Sequence, residues 1–133
     1  MYHPNEFQVN EAWIAFVLNE FPIRTEQNGA FNCICLMDAA SCFILATEMI
    51  TTTATEPSEI EARRLFKVAQ AHNPSKPKKL FVPTGQFKKY IAAEANRRGM
   101  EVISVNEQDL LVFVGEARQG FTTHVQGSPA SET

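Results

Sequence analysis

Three cysteines lie close together in the sequence and belong to a residue type that binds metals. Cys33, Cys35 and Cys42 follow one another within a predicted β-hairpin. Structural zinc sites normally use spacings such as C-x₂-C on turns, whereas C-x-C within a strand sends both side chains to the same face. We therefore predict three reduced, buried thiols that behave as small hydrophobic residues, rather than a zinc site.

The remaining residues with reactive side chains form no recognisable catalytic group. His3, His72 and His124 are far apart in the sequence, and His72 at a predicted helix end is explained by the favourable interaction of its cationic form with the helix dipole. Thr84-Gly85-Gln86 precedes a predicted helix, where it could bind an anion or simply cap the helix. The sequence has no nucleophile elbow, glycine-rich phosphate loop or H-E-x-x-H motif. We expect no catalytic residue, no metal site and no cofactor.

The positive charge is concentrated in one segment of the chain. Between Arg63 and Arg98 there are ten basic residues and a single acidic residue, Glu94, which gives a net charge of +9, although the whole chain has a net charge of -3. A basic segment of this kind is an argument about partners and not about fold. The candidate nucleic-acid-binding residues within it are Arg63, Arg64, Lys67, Lys76, Lys78, Lys79, Lys88 and Lys89.

Three interpretations of this basic segment remain open. Lysine and arginine side chains could follow the phosphates of a nucleic acid, because such contacts supply most non-specific affinity. Alternatively, the segment is an ordinary solvated surface, or it docks on the acidic remainder of a second copy of the chain. Aromatic residues for base stacking are scarce, since Phe81 and Phe87 have the pattern of core residues and only Tyr90 remains as a platform.

Length and composition predict one soluble globular domain. The chain has 133 residues, of which 44% are hydrophobic and 20% charged. No apolar run approaches the roughly 20 residues that cross a bilayer, and the first residues lack a basic signal sequence. We expect a single α/β domain over residues 1–125, a disordered tail over 126–133, no membrane association and a cytoplasmic location.

The first half of the chain predicts an apolar β-hairpin. Residues 5–18 fit either a helix or a strand, and residues 22–29 have the composition of a loop. Residues 31–50 predict two strands around a short turn at Ala39 and Ala40, with Met37 opposite Cys42 and Cys35 opposite Ile44. Both faces of this hairpin are apolar, Phe43 included, so it needs covering layers on both sides.

The second half predicts alternating helices and strands. A first helix begins near Ser58, which forms a capping box with Glu61, and ends at Asn73-Pro74. A strand over 79–82 leads to a second helix that is capped by Thr84 and ended by Gly99. A strand over 101–105 and a third helix from Asn106 complete a mixed sheet of about five strands with helices on both faces.

This element order resembles the catalytic core of integrases and transposases, which has the ribonuclease-H-like fold. In that family a strand ends in Asp, a short turn contains Ser and an apolar strand follows, as at Asp38 and Ser41 here. The likeness continues through the basic, proline-containing loop 76–79, through Thr84-Gly85-Gln86-Phe87, and on to Gly99-Met100-Glu101-Val102. The layout is also similar to that of an uncharacterised bacterial domain family.

The resemblance implies a fold but not the family's chemistry. Such enzymes hold two divalent metals with carboxylates from the first strand, the fourth strand and a late helix. The matching positions here are Trp13-Ile14-Ala15-Phe16, which contains no acid, and Thr84. Only Glu116 could take the third place. We therefore expect a non-enzymatic interaction module, as a homodimer or with an unknown protein partner. The alternatives are a nucleic-acid-binding domain and a metal-dependent nuclease-like enzyme.

Overall fold

The computed structural model describes residues 1–72 and 76–126, with side chains described up to Phe121. This part of the chain forms a mixed sheet and three α-helices, with short 3-10 turns at Pro4–Glu6 before the first strand and at Glu107–Leu110 before the last helix. The elements are β1 (Ala12–Val17), β2 (Ile23–Thr25), β3 (Gly29–Asp38), β4 (Ile44–Thr51), α1 (Glu59–Gln70), β5 (Lys79–Pro83), α2 (Tyr90–Arg97), β6 (Glu101–Val105) and α3 (Leu111–Gln126). Of the predicted tail over 126–133, Gln126 is the last residue of α3, and residues 127–133 lie outside the described residues.

The six strands form one sheet in which antiparallel and parallel pairs meet at β1. The antiparallel neighbours are β4, β3 and β1, and β5 and β6 continue the sheet parallel to β1. The short strand β2 pairs with the first residues of β3. This confirms the predicted mixed sheet with helices, and β2 is a strand that the sequence analysis assigned to a loop.

Two hydrophobic cores lie on opposite faces of the sheet. Side chains alternate along each strand, so Trp13 and Ala15 of β1 pack against α1 and α2, whereas Ile14 and Phe16 pack against α3. We call these two sides the α1/α2 face and the α3 face. Because β1 is buried on both faces, its sequence is continuously apolar, and this explains why its periodicity did not distinguish a strand from a helix.

The hairpin of β3 and β4 has a longer turn than predicted. Met37 lies opposite Ile44, and Cys35 lies opposite Thr47, with an irregularity between Leu36 and Met37. The predicted pairs of Met37 with Cys42 and of Cys35 with Ile44 are therefore wrong. The carboxylate of Asp38 accepts hydrogen bonds from the backbone nitrogen and hydroxyl of Ser41, which lengthens the turn. Phe43 consequently lies in this turn and is 53% exposed rather than in a core.

Helix α1 begins as predicted. The Ser58 hydroxyl accepts a hydrogen bond from the Glu61 backbone nitrogen at 3.2 Å, and the Glu61 carboxylate accepts one from the Ser58 backbone nitrogen at 2.9 Å. The predicted apolar stripe is buried against the sheet: Ala62, Leu65, Phe66 and Ala69. The helix ends at Gln70, and its predicted end at Asn73-Pro74 lies outside the described residues.

Helix α2 begins five residues later than predicted. It starts at Tyr90, so Thr84 is not its cap and belongs to a turn in which Gly85 and Phe87 have positive φ angles. The carboxylate of Glu56 instead accepts hydrogen bonds from the backbone nitrogens of Lys89, Tyr90 and Ile91 at 2.8–3.1 Å. The helix therefore receives its cap from the loop before α1 and not from its own sequence.

Candidate functional site

The first catalytic position of the integrase pattern is occupied by buried apolar side chains. Trp13, Ile14, Ala15 and Phe16 all have 0% exposure, and Phe16 packs into the core of the α3 face. The fourth-strand position is Thr84, an exposed residue just after β5 whose backbone nitrogen donates to the Val105 carbonyl at 2.8 Å. Neither position supplies a carboxylate.

An arginine lies beside the carboxyl end of β1. The Nε atom of Arg118 on α3 donates to the Val17 carbonyl oxygen at 3.0 Å. The same guanidinium forms an ion pair with Glu107, with 2.6 Å between Nη1 and Oε1. The late helix therefore directs a cation, and not a metal-binding carboxylate, toward this end of β1.

Glu116 lies close enough to the turn after β3 for its charge to act on Cys42. It is exposed on α3, and its charge, after burial and together with that of Asp38, raises the pKa of the Cys42 thiol. Cys42 lies in the turn after β3, near the amino end of β1, whereas Arg118 contacts its carboxyl end.

These residues do not fit the divalent metals that the integrase pattern implies. Magnesium requires several oxygen ligands, and carboxylates usually provide them. The first-strand stretch carries apolar side chains such as Phe16, and the fourth-strand position carries the hydroxyl of Thr84, so Glu116 is the one carboxylate left among the three positions. Throughout the residues that the structure describes, no group of three or more His, Cys, Asp or Glu side chains is arranged to hold a metal ion.

The cysteines share one face of the sheet, as predicted, and it is the α3 face. Cys33 and Cys35 are buried in that core, and burial raises the pKa of Cys33 to about 11 and that of Cys35 further. Cys42 is half-buried in the turn after β3. Raised pKa values keep the thiols protonated, which disfavours both metal binding and nucleophilic attack.

The histidines do not converge. His3 precedes the first 3-10 turn, the side chain of His124 lies outside the described residues, and His72 follows α1. The His72 ring packs edge-on against Phe43 with 5.3 Å between ring centroids. Both rings line a shallow cavity of about 330 Å³. Asp38 also lines this cavity, but its carboxylate is already bonded to Ser41 and to the Asn10 backbone nitrogen.

Ion pairs in the folded structure neutralise part of the positive charge of the basic segment. Arg63 forms an ion pair with Glu59, and Arg64 binds both carboxylate oxygens of Glu48 on β4 at 2.6 and 2.9 Å. Glu94 is buried between Arg97 and Arg98, which contact its two carboxylate oxygens. Acidic residues from outside the segment, Glu48 and Glu59, therefore neutralise part of a charge that appears unopposed in the sequence.

The lysines lie at two ends of the sheet. Lys76, Lys78 and Lys79 precede or begin β5, whereas Lys88 and Lys89 follow its end. A five-residue strand is about 16 Å long, so these two groups do not form one patch. Lys67 is exposed on α1, and the Lys89 ammonium lies 4.9 Å from the ring centre of half-buried Tyr90. Thr84-Gly85-Gln86 is not a helix N-terminus, so both interpretations of it, anion binding at a helix start and helix capping, lose their structural basis.

Two structural residues had no signal in the sequence. Glu56 caps a helix more than thirty residues away, and Arg118 bonds to a strand at the other end of the chain. Neither contact belongs to a local motif. The Arg64–Glu48 pair could have been suspected only after α1 had been packed on β4.

Comparison with known structures identifies the fold. The simian T-cell lymphotropic virus intasome, solved by cryo-EM in complex with the PP2A regulatory subunit B56 gamma, matches over 84% of this chain with a TM-score of 0.57 and 12% identity. The integrase catalytic core domain of HTLV-2, solved as a dimeric form with magnesium, matches over 72% with a TM-score of 0.52 and 11% identity. The chain spans 37% of the first protein chain and 61% of the second. Its fold is that of integrase catalytic cores, which is ribonuclease-H-like.

Sequence comparisons add no closer assignment. No family model matches the chain, and no curated protein matches it. Across the part of the chain that the structure describes, no helix is both long and apolar enough to span a bilayer.

Proposed function

We propose that this chain is a non-enzymatic interaction module on an integrase-core-like scaffold, and that it acts as a homodimer. The proposal that the module is non-enzymatic depends on the residues at the carboxyl end of β1. Phe16 is buried there, and Arg118 binds the Val17 carbonyl. A phosphodiester-cleaving site of this family needs carboxylates that hold two metals at that place.

The alternative of nucleic-acid binding receives less support. Arg63 and Arg64 are already paired with carboxylates, and the lysines are divided between two ends of β5.

The homodimer is supported by a structural neighbour. The integrase core of HTLV-2 was solved in a dimeric form, so we expect association between copies of this scaffold as well.

We expect the purified protein neither to cleave nor to join labelled DNA in the presence of magnesium or manganese, because its residues cannot hold a metal pair. Gel electrophoresis of the products measures this. Glu116→Ala and the matched exposed variant Glu101→Ala distinguish a genuine activity from a contaminating one. Cleavage that Glu116→Ala abolishes and Glu101→Ala retains would contradict the proposal.

The dimer is tested by sedimentation of the purified chain without nucleic acid. We expect a mass twice that of the 14.9 kDa chain. A monomer at all micromolar concentrations would overturn the homodimer.

A further inference from the structure

One edge of the sheet is long, regular and unpaired. In the described part of the chain, β4 pairs only with β3, so its other side is an open edge of eight residues. Natural proteins usually protect such edges with lysine, proline, a bulge or a covering segment. Ile44–Thr51 contains neither lysine nor proline, and its irregular pairing lies near its first residues.

The register shows which backbone groups are available at this edge. The Thr52 backbone nitrogen donates to the Ala30 carbonyl, which continues the pairing of Thr51 with Phe31. Residues alternate along an antiparallel strand, so Ala46, Glu48 and Ile50 direct their backbone groups toward β3. The backbone N–H and C=O groups that point away from β3 are those of Thr47, Met49 and Thr51.

We propose that two copies of this chain associate through this edge, with β4 of each copy paired antiparallel to β4 of the other, so that the two sheets become one. The inference rests on the proposed homodimer and specifies its surface. A two-fold rotation axis that passes beside Met49 brings the outward-pointing backbone N–H and C=O groups of the two β4 strands into register. Met49 then faces its own counterpart, and Thr47 faces Thr51 of the second copy.

The side chains on the α3 face suit this register. Thr47, Met49 and Thr51 are all exposed there, and Met49 is 43% exposed, although it lies in the middle of a strand. The register creates two Thr–Thr pairs and one Met–Met contact. Such cross-strand pairs stabilise antiparallel sheets.

The other face carries a matching apolar stripe on α1. Ile60 and Val68 are 69% and 49% exposed, and with Arg64 they are spaced four residues apart along one side of the helix. Arg64 reaches Glu48, so this side of α1 faces β4. Exposed apolar side chains therefore flank the open edge on both faces of the sheet.

The direction of α1 makes the stripe self-complementary. The middle of α1 contacts the middle of β4 through Arg64 and Glu48, and the Phe43 and His72 rings meet where β4 begins and α1 has ended. Helix α1 therefore runs antiparallel to β4. An axis at Met49 places the two α1 helices antiparallel, with Arg64 near the axis and Ile60 facing Val68 of the second copy.

Charge also favours this arrangement. The acidic residues of α1 lie in its first turn, and Lys67 lies in its last turn, so antiparallel helices bring opposite charges together. Near the axis, Arg64 and Glu48 of one copy meet the same pair of the other, which gives an alternating group of four charges.

A charge exchange at position 49 tests the surface. We expect Met49→Lys and Met49→Glu each to sediment as monomers, because like charges would face each other at the axis. An equimolar mixture of the two should restore a dimer. Ser104→Lys, which adds the same charge to the opposite edge strand β6, should remain dimeric.

Cysteine cross-linking tests the register. Met49→Cys should form an intermolecular disulfide, because the two residues would form a hydrogen-bonded pair with Cα atoms about 5.5 Å apart, within the range that a disulfide bridges. Thr47→Cys should not cross-link to itself, since its counterpart lies about 13 Å farther along the strand. Native Cys42 is present in both variants and serves as the common background.

The outcomes separate this inference from the proposed function. A wild-type dimer that Met49→Lys leaves intact would overturn the β4 surface while the homodimer stands. A wild-type monomer would overturn both. Binding of an unrelated extended peptide to β4, with no self-association, would equally contradict a second copy as the occupant.

Discussion

Asp38 shows how one buried carboxylate can be structural in a fold known for catalytic carboxylates. It is 3% exposed, and its carboxylate accepts hydrogen bonds from the Asn10 backbone nitrogen and from the backbone nitrogen and hydroxyl of Ser41. The Asn10 side chain in turn accepts a hydrogen bond from the Trp13 indole nitrogen at 3.0 Å. Asp38 therefore fixes the turn after β3 to the segment that leads into β1.

The three cysteine thiols should differ in their reactivity toward an alkylating reagent. We expect iodoacetamide at pH 8 to modify Cys42 slowly in the folded protein and to leave Cys33 and Cys35 unmodified, because burial raises their pKa values and the thiolate is the reactive form. In urea all three should react. Mass spectrometry of the alkylated protein measures this, and rapid modification of folded Cys33 would contradict the expectation.

The raised pKa of Cys33 also sets the direction of a pH dependence. The unfolded chain loses this proton near the ordinary value of about 9, whereas the folded chain keeps it to about 11. The contribution of the neutral thiol to stability is therefore complete below pH 9 and is lost as the pH rises to about 11. Cys33→Ala should make the fall in stability over that interval less steep.

The cap of α2 is the clearest prediction for a single element. Glu56→Ala should lower the free energy of unfolding by about 1–2 kcal/mol, because three backbone N–H groups lose their acceptor. Glu59→Ala removes a carboxylate that forms only an exposed ion pair with Arg63, so it should lower the free energy of unfolding by less than about 0.5 kcal/mol. Urea unfolding followed by circular dichroism compares the two, and equal losses would argue against capping by Glu56.

Local patterns predicted the elements better than their boundaries. The capping box of Ser58 and the apolar stripe of α1 depend on residues close in sequence, and both are confirmed. The start of α2 depends on Glu56, which is 33 residues before the first nitrogen that it accepts from. The β3–β4 register depends on Asp38 bonding to Ser41, and an apolar pattern does not reveal that bond. Side-chain hydrogen bonds to the backbone therefore account for both errors, one across 33 residues at Glu56 and one within the turn at Asp38.

The same limitation applied to the candidate site. The sequence placed ten basic residues in one segment, but Arg64 and Glu48 meet only because α1 packs on β4. The absence of acids in Trp13-Ile14-Ala15-Phe16 could be seen directly from the sequence. The position of Arg118 at the end of β1 could not, since it requires the packing of α3 across the sheet.

For the molecule as a whole, the charge distribution predicts weak and non-specific association with nucleic acid. We expect little or no shift of duplex DNA at physiological salt, because few cations are both unpaired and adjacent. A gel-shift titration at two salt concentrations measures the slope of log affinity against log salt. Each neutralised duplex phosphate contributes about −0.9 to this slope.

Two variants define the result that would contradict this expectation. Lys78 is exposed before β5, whereas Arg63 is paired with Glu59. A steep slope that Lys78→Ala reduces by about one unit, and that Arg63→Ala changes less, would favour a nucleic-acid-binding domain.

The central position of β1 has a consequence for the order in which the chain is assembled. The antiparallel partner of β1 is β3, which follows it closely, but its parallel partner is β5, where Ala12 pairs with Lys79. At a synthesis rate of about 5–20 residues per second, β1 waits several seconds for that partner. The strand that becomes the most buried in the folded protein is therefore the one that the ribosome-bound chain holds longest with an open, apolar edge.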